Sequence, residues 1–352
     1  MTFAYVSSFP SPIGRGVGVA ERSGRELSAS CGYEKLNRLL TAAALAAALP
    51  APAQEYPARP IRIIVPVPAG GTADIVPRIL GEKLAAKWGQ PVIVDNRPGA
   101  AGNIGAELVY KAQPDGHTLL SAPAPPLVIN PSLYSTLAFD PTRFVTVSVT
   151  AAVPNTLLVH PKVPATSVHD LIAHAKANPD KLVYASQGSG TTSHLTTEMF
   201  KTVAGGLLIT HVPYKGTAPA LAALLGGEAN LMFDNLGVSL PHALSGRLKA
   251  LAVCSERRVA ALPQVPAMTE IYPGFVSIAW FGVVAPPKTS PKIAAQLSAA
   301  IIEALKLPDV ARKLADLSAE PVGSNPAQMA AFMKEDAERW RKVIRAAGVK
   351  LD

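Results

Sequence analysis

The chain has 352 residues, 49% of them hydrophobic and 16% charged, with 33 Lys and Arg against 25 Asp and Glu for a formal charge of +8. At roughly 100–200 residues per domain that is room for about two domains, and so apolar a composition excludes a disordered chain. Two cysteines exclude a disulfide-dense scaffold or a cysteine-rich zinc module.

Residues 1–55 do not read as part of a folded domain. Lys35 and Arg38 precede an apolar run over 39–49, and Pro50-Ala51-Pro52-Ala53 follows. This order of charged, apolar and small residues fits a secretory signal cleaved after Ala53. The run is too short for a membrane span, which needs about 20 apolar residues. The stretch ahead of Lys35, rich in Gly, Ser and Arg, is expected to be a disordered extension or the product of a start placed too far upstream. With Cys31 removed, Cys254 stays alone in an apolar run and is expected to pack as a small buried hydrophobe.

Apolar runs then alternate with helical patterns. Strands are expected over 61–67, 92–95, 118–121, 157–160, 182–186, 207–212, 231–234 and 250–254. Helices are expected over 73–87, 104–113, 168–177 and 194–204, with short ones over 219–225 and 241–244. Ser167 with Asp170 reads as a capping-box variant. Two long helices close the chain, one capped by Ser290 with Pro291 next and one running from Asn325, Pro326 and Gln328 to Ala347, stopped by Gly348. Such alternation predicts an α/β fold with helices on both sheet faces. No flexible linker separates domains, so strand-like crossovers are expected at 153–159 and 278–286. The densest basic stretch, Arg339-Trp340-Arg341-Lys342, follows Glu335, Asp336 and Glu338 in the last helix and reads as a solvated face, not a nucleic-acid surface.

Two strand-to-helix loops carry ligand chemistry. In the first, Pro68, Ala69, Gly70, Gly71 and Thr72 precede Asp74; the second holds Gln187, Ser189, Gly190, Thr191 and His194. Small residues at a helix start leave bare N–H groups and a partial positive charge, which suits a carboxylate or phosphate. A tight turn with Asp74 capping its own helix, and a His194 satisfied locally, are the bland alternatives. Tyr214 and Asp234 each follow a further strand; Tyr214 can stack on or hydrogen-bond a ligand, and Lys215 is either a ligand charge or a solvated side chain. The loop from Pro98 to Asn103 is a weaker candidate, the alternative being a structural turn ahead of the helix. No Walker A, HExxH or CxxC motif occurs, so no cofactor and no metal are expected. A serine hydrolase would use Ser189 or Ser193 with His194, but Gln187 breaks the G-x-S-x-G spacing.

The stretches YPARPIRIIVPVPAGGTADIVPRILGEKL, GQPVIVDNRPGAAGNIGAELV, PDGHTLL, KANPDKLVYASQGSGTTSHL, HVPYKG and WFGVVAPPKTSP, in this order, resemble the substrate-binding proteins of tripartite tricarboxylate transporters, the Bug or TctC family. The resemblance runs over 56–352. It implies a two-domain periplasmic-binding-protein fold (type II-like, a Venus flytrap), each domain a mixed sheet flanked by helices, with the ligand cleft between them. Domain 1 is expected over 56–155 plus 281–352 and domain 2 over 156–280. The implied function is capture of a small carboxylate (a dicarboxylate, tricarboxylate, amino acid or aromatic carboxylate) by a periplasmic monomer that is not an enzyme. Family members hold the carboxylate by backbone N–H groups and bridging waters from the two loops, and the position matching Asp74 contacts polar groups on some ligands. The implied partner is a membrane permease of the tripartite type; a sensor receptor is the alternative. Pro77 and the loop over 121–126 depart from the family pattern.

Overall fold

The computed structural model describes residues 56–351. The expected signal and extension over 1–55 lie outside the described residues. In chain order these form β1 (Ile61–Val65), α1 (Thr72–Trp88), β2 (Val92–Asn96), α2 (Asn103–Tyr110), β3 (Thr118–Pro123), β4 (Val145–Val159) and α3 (Val168–Ala177). Then come β5 (Val183–Ser186), α4 (Thr192–Val203), β6 (Thr210–Pro213), α5 (Thr217–Gly226), β7 (Leu231–Asn235), α6 (Leu236–Leu244) and β8 (Lys249–Val253). The chain closes with β9 (Ile278–Ala285), α7 (Pro291–Leu305), α8 (Pro308–Asp316), β10 (Glu320–Pro321) and α9 (Pro326–Ala347).

Side chains alternate along a strand, so a strand covered on both faces needs apolar residues at successive positions. β1 meets this demand. Ile61, Ile63 and Val65 pack with Val76, Leu80 and Leu84 of α1 and Leu297 and Ile301 of α7. Ile64 enters the opposite core with Val109, Leu120, Met329, Trp340 and Ile344. β7 repeats the pattern: Leu231 and Phe233 meet Leu171 and Phe200, whereas Met232 meets Leu221 and Leu224.

These strands build two mixed sheets that share β4. In the first, β1 lies between parallel β2 and β3, β3 is antiparallel to β9, and β9 is antiparallel to β4. In the second, β5 lies between parallel β6 and β7, β7 is antiparallel to β4, and β8 takes β4's other edge. β4 changes sheet midway: Val145 to Pro154 pair with β9, and Asn155 to Val159 pair with β7. Each half of the molecule therefore has a parallel triad whose middle strand, β1 or β5, ends in a loop and a helix start.

The expected caps are present. Ser167 and Asp170 exchange hydrogen bonds reciprocally, as do Asn325 and Gln328, and Gly348 ends α9 at φ 66°. Cys254 is buried, and burial pushes its thiol pKa up. Other elements differ from expectation. β4 is far longer than the 153–160 read as strand-like, because polar Thr146, Ser148 and Thr150 break the apolar run ahead of it, and its pairing with β9 runs on through register shifts between Thr146 and Ser148 and between Val149 and Ala151. α6 starts at Leu236 and not near 241, since Pro241 lies inside the helix rather than opening it. The strand expected over 207–212 is confined to Thr210–Pro213, and α8 has no counterpart in the sequence reading. Asp336 does not belong to a solvated face. It is 4% exposed and accepts hydrogen bonds from the indoles of Trp280 (2.8 Å) and Trp340 (3.1 Å), with Arg339 closing the cluster.

Candidate functional site

The first loop leaves β1 at its carboxyl end, where α/β sheets open a crevice. Gly70 turns it at φ +94°, and Gly71 precedes α1 without any side-chain cap, so the first N–H groups of α1 stay free. Thr72 opens the helix, and its buried Oγ1 has no hydrogen-bond partner. Asp74 braces the loop from behind. Its carboxylate accepts from Gly70 N (3.0 Å), Arg78 Nη2 (2.8 Å) and Asn96 Nδ2 (2.8 Å), while Asn96 Nδ2 also reaches the Val67 carbonyl at 3.0 Å. Burial raises the Asp74 pKa, but the bonds from Arg78, Gly70 and Asn96 outweigh it and hold the carboxyl below its ordinary range.

The second loop follows β5. Thr191 caps α4, accepting from His194 N at 3.4 Å and donating to the Gly188 carbonyl at 2.7 Å. Gly190 N donates to His194 Nδ1 at 3.1 Å, and Gly188 N donates to Ser186 Oγ at 3.2 Å. Ser186 Oγ in turn meets His211 Nε2 at 2.7 Å. The two imidazoles stack with their centroids 4.3 Å apart, and Tyr184 stacks on His211 at 4.6 Å. Burial, helped by the neighbouring His194, pushes His211 down to about 4; burial likewise lowers His194. Neutral imidazoles thus brace this loop as carboxylate Asp74 braces the other. Gln187 Nε2 donates to Asp234 Oδ1 at 2.6 Å; burial pushes Asp234 up to about 7 against that bond, and its Oδ2 has no partner.

Two further helix starts face the same space. Gly216 precedes α5 at φ +100°, and Asn235 precedes α6; neither provides a side-chain cap. A Cβ on Gly216 would sit 3.0 Å from Pro68 Cγ, and one on Gly71 would sit 3.1 Å from Thr217 Oγ1. The loop after β1 and the loop after β6 therefore touch, and at Gly216, with its positive φ, a side chain would also strain the backbone. The Pro98–Gly102 turn completes the wall, with Ala100 and Ala101 both held at left-handed φ values of 45° and 50°, a strained conformation for residues with a Cβ.

These loops enclose a cavity of about 750 Å³. Of the residues singled out in the sequence, Pro68, Gly71, Thr72, Gln187, Ser189, Thr191 and Tyr214 line it. Ala69 and Gly70 are exposed beside it, while Asp74, Gly190, His194 and Asp234 are buried and do not line it. Thr217 and Asn235, which stand in the candidate stretches after β6 and β7 without an assigned role, line it as well, as do Tyr134 and Phe281, which the sequence did not single out. Asn235 had a usable signal, an Asn between a strand and a helix start; Tyr134 and Phe281 had none, because only the tertiary fold brings them near. Lys215 is exposed and is the one charged side chain among the lining residues. Ser193 is fully buried and donates to the Phe233 carbonyl, and His194 Nδ1 is taken by Gly190, so no serine–histidine pair faces the cavity. Free N–H groups, positive helix ends and one lysine, within walls of proline, Tyr134 and Phe281, suit an anionic group carried on a partly apolar body.

Residues 76–349 match the family model described as tripartite tricarboxylate transporter family receptor. The chain is 41% identical over 307 residues to Protein BugT of Bordetella pertussis, covering 86% of this chain and 94% of that one. Among solved structures it is similar to Rpa4515 of R. palustris with adipate (38% identity, TM-score 0.81, 84% of this chain and 99% of the other). It is also similar to MatC (Rpa3494) from Rhodopseudomonas palustris with bound malate (32% identity, TM-score 0.77, 82% and 100%). The chain is likewise similar to the periplasmic binding protein BugD (35% identity, TM-score 0.79, 84% of this chain and 99% of the other), so its mixed sheets flanked by helices have the fold of a periplasmic binding protein.

Proposed function

Because the chain belongs to the tripartite tricarboxylate transporter receptor family, a family of solute-binding proteins and not of enzymes, we propose that it captures a small carboxylate in this cavity and delivers it to a membrane permease of the tripartite type. The observation that carries the reading is the convergence on one cavity of three helix starts, those of α1, α5 and α6, with no side-chain cap. Uncapped N–H groups left without partners are costly, and a carboxylate oxygen satisfies several at once. The relatives whose structures hold adipate and malate support a carboxylate as the class.

In this reading the loops over 68–74 and 187–194, with Tyr214, grip the carboxylate through backbone N–H groups and bridging waters, and Asp74, His194 and Asp234 keep those loops in shape. The lobes comprise 56–155 with 281–352 and 156–280, and they close about β4 and β9. The signal over residues 35–53 directs the chain to the periplasm, where the closed shape is what the permease reads.

Thermal unfolding of the chain from Gln54 onward against citrate, malate, glutamate, adipate, phthalate and nicotinate tests the proposal. A ligand at about 100 times its Kd adds about 2.7 kcal/mol, a clear rise in Tm. A selective rise with one or more carboxylates supports it. No rise with any carboxylate, and no small molecule retained in native mass spectrometry, contradicts it.

A further inference from the structure

Asn235 occupies an unusual position in the cavity wall. It is 6% exposed, it lines the cavity, and its side chain makes no hydrogen bond, while its Oδ1 is enclosed. Buried amides are normally satisfied. Across the sheet the residue directly opposite is Asn155 of β4, and opposed residues of an antiparallel pair share a face. Asn155 Oδ1 is also buried and without a partner. Two amide oxygens without donors, side by side on one sheet face, are an arrangement that one rotation resolves. A half-turn of the Asn235 amide would turn its Nδ2 toward the side of Asn155 Oδ1 and its own oxygen toward the cavity.

The remainder of the Asn155 amide is already committed. Its Nδ2 donates to Ser277 Oγ at 2.9 Å, and Ser277 Oγ is hydrogen-bonded to Thr196 Oγ1. Asn155 lies where β4 changes sheet, and Ser277 immediately precedes β9. The Asn235 amide would thus be held from behind by a buried network at both crossovers.

We propose that Asn235 is a specificity-determining residue that offers a hydrogen-bond acceptor to a ligand hydroxyl, so that the preferred ligand is a hydroxycarboxylate. The inference rests on the carboxylate reading above and narrows it. The helix-start N–H groups and Lys215 hold any carboxylate and discriminate little, and the lining hydroxyls can donate or accept; besides Asn235, only Gln187, whose Nε2 is committed to Asp234, brings an amide oxygen to the lining. An acceptor adds discrimination, because a ligand without the matching donor leaves it unpaired. An ammonium would also donate, but it would enter a site of positive helix ends and a lysine with no carboxylate in its lining. A hydroxyl meets no such repulsion. Thr72 Oγ1, buried and unpartnered on the facing loop, is a second group such a ligand would satisfy.

The test is calorimetric titration of matched pairs that differ by one hydroxyl: succinate with malate, adipate with 3-hydroxyadipate, and benzoate with 4-hydroxybenzoate. The wild-type chain is expected to bind the hydroxylated member of at least one pair about tenfold tighter or more. Asn235→Ala is expected to remove that preference, bringing the Kd values of the two members of the pair within about threefold of each other. Asn155→Ala, which frees the amide to rotate, is expected to reduce the preference without touching the ligand. Equal binding of both members of every pair that binds overturns the inference and leaves the carboxylate reading intact. Preference retained in Asn235→Ala overturns it too. Binding of no carboxylate in any pair or in the wider panel overturns both. Should Asn235→Ala fail to fold, the wild-type pairs and Asn155→Ala decide.

Discussion

Four ionisable residues brace the ligand loops, Asp74, His194 and Asp234 buried and His211 half-buried, and their protonation states oppose one another. Asp74 accepts from Gly70, Arg78 and Asn96, so Asp74→Ala leaves donors unpaired. It is expected to lower stability by about 1–3 kcal/mol and to weaken all carboxylates alike, since it shapes the loop. Urea midpoints and a carboxylate panel check this. Its depressed pKa contributes stability that is present above the ordinary carboxylate value and is lost as pH falls through the folded-state value. His211 and Asp234 act over a common range. His211, at about 4 when folded and about 6.5 unfolded, contributes stability above pH 6.5 that is lost as pH falls toward 4. Asp234, raised to about 7, contributes stability at low pH that is lost as pH rises to 7. The two slopes cancel in part between pH 4 and 7. Asp234→Asn is therefore expected to become more stable as pH rises across this interval, and His211→Gln less stable. Denaturant unfolding at pH 4.5 and 7.0 reads the sign directly; slopes of the same sign in both variants would contradict it.

At the scale of elements, what was legible in the sequence was what is local. The cap of α3 involves residues three apart, as does the cap of α9, and side-chain identity alone announces them. Asn325→Ala is expected to cost about 1 kcal/mol without changing ligand affinity, because α9's start lies away from the cavity; parallel denaturation and calorimetry test both halves. The glycine-rich loops were legible for the same reason, since Gly70, Gly188, Gly190 and Gly216 all take the left-handed region that favours glycine. What was illegible is non-local. The first half of β4 is a strand because β9 lies beside it, and nothing in the Ser- and Thr-bearing run over 145–152 declares that, whereas 153–160 reads as strand-like from its own residues. The start of α6 was hidden by Pro241, which usually marks a helix opening and here lies within one. Missing that start meant missing Asn235 as its cap position. Asp336 was misplaced on a solvated face because charge suggests exposure, whereas two indole N–H donors make its burial affordable.

At the scale of the whole molecule, two sheets of the same plan face one cavity, each presenting a loop from the middle of a parallel triad. Pro68 meets Gly216 and Gly71 meets Thr217 where those halves come together. A side chain at 71 would therefore intrude between the loops and cover the uncapped start of α1 without entering a core. The central claim, that a carboxylate is held there by backbone donors, is tested most directly by calorimetric titration of wild type and Gly71→Leu with whichever carboxylate raises Tm most. Saturable one-to-one binding by wild type, and none by a Gly71→Leu chain whose unfolding temperature is unchanged, is the predicted result. The same affinity in both chains would contradict it.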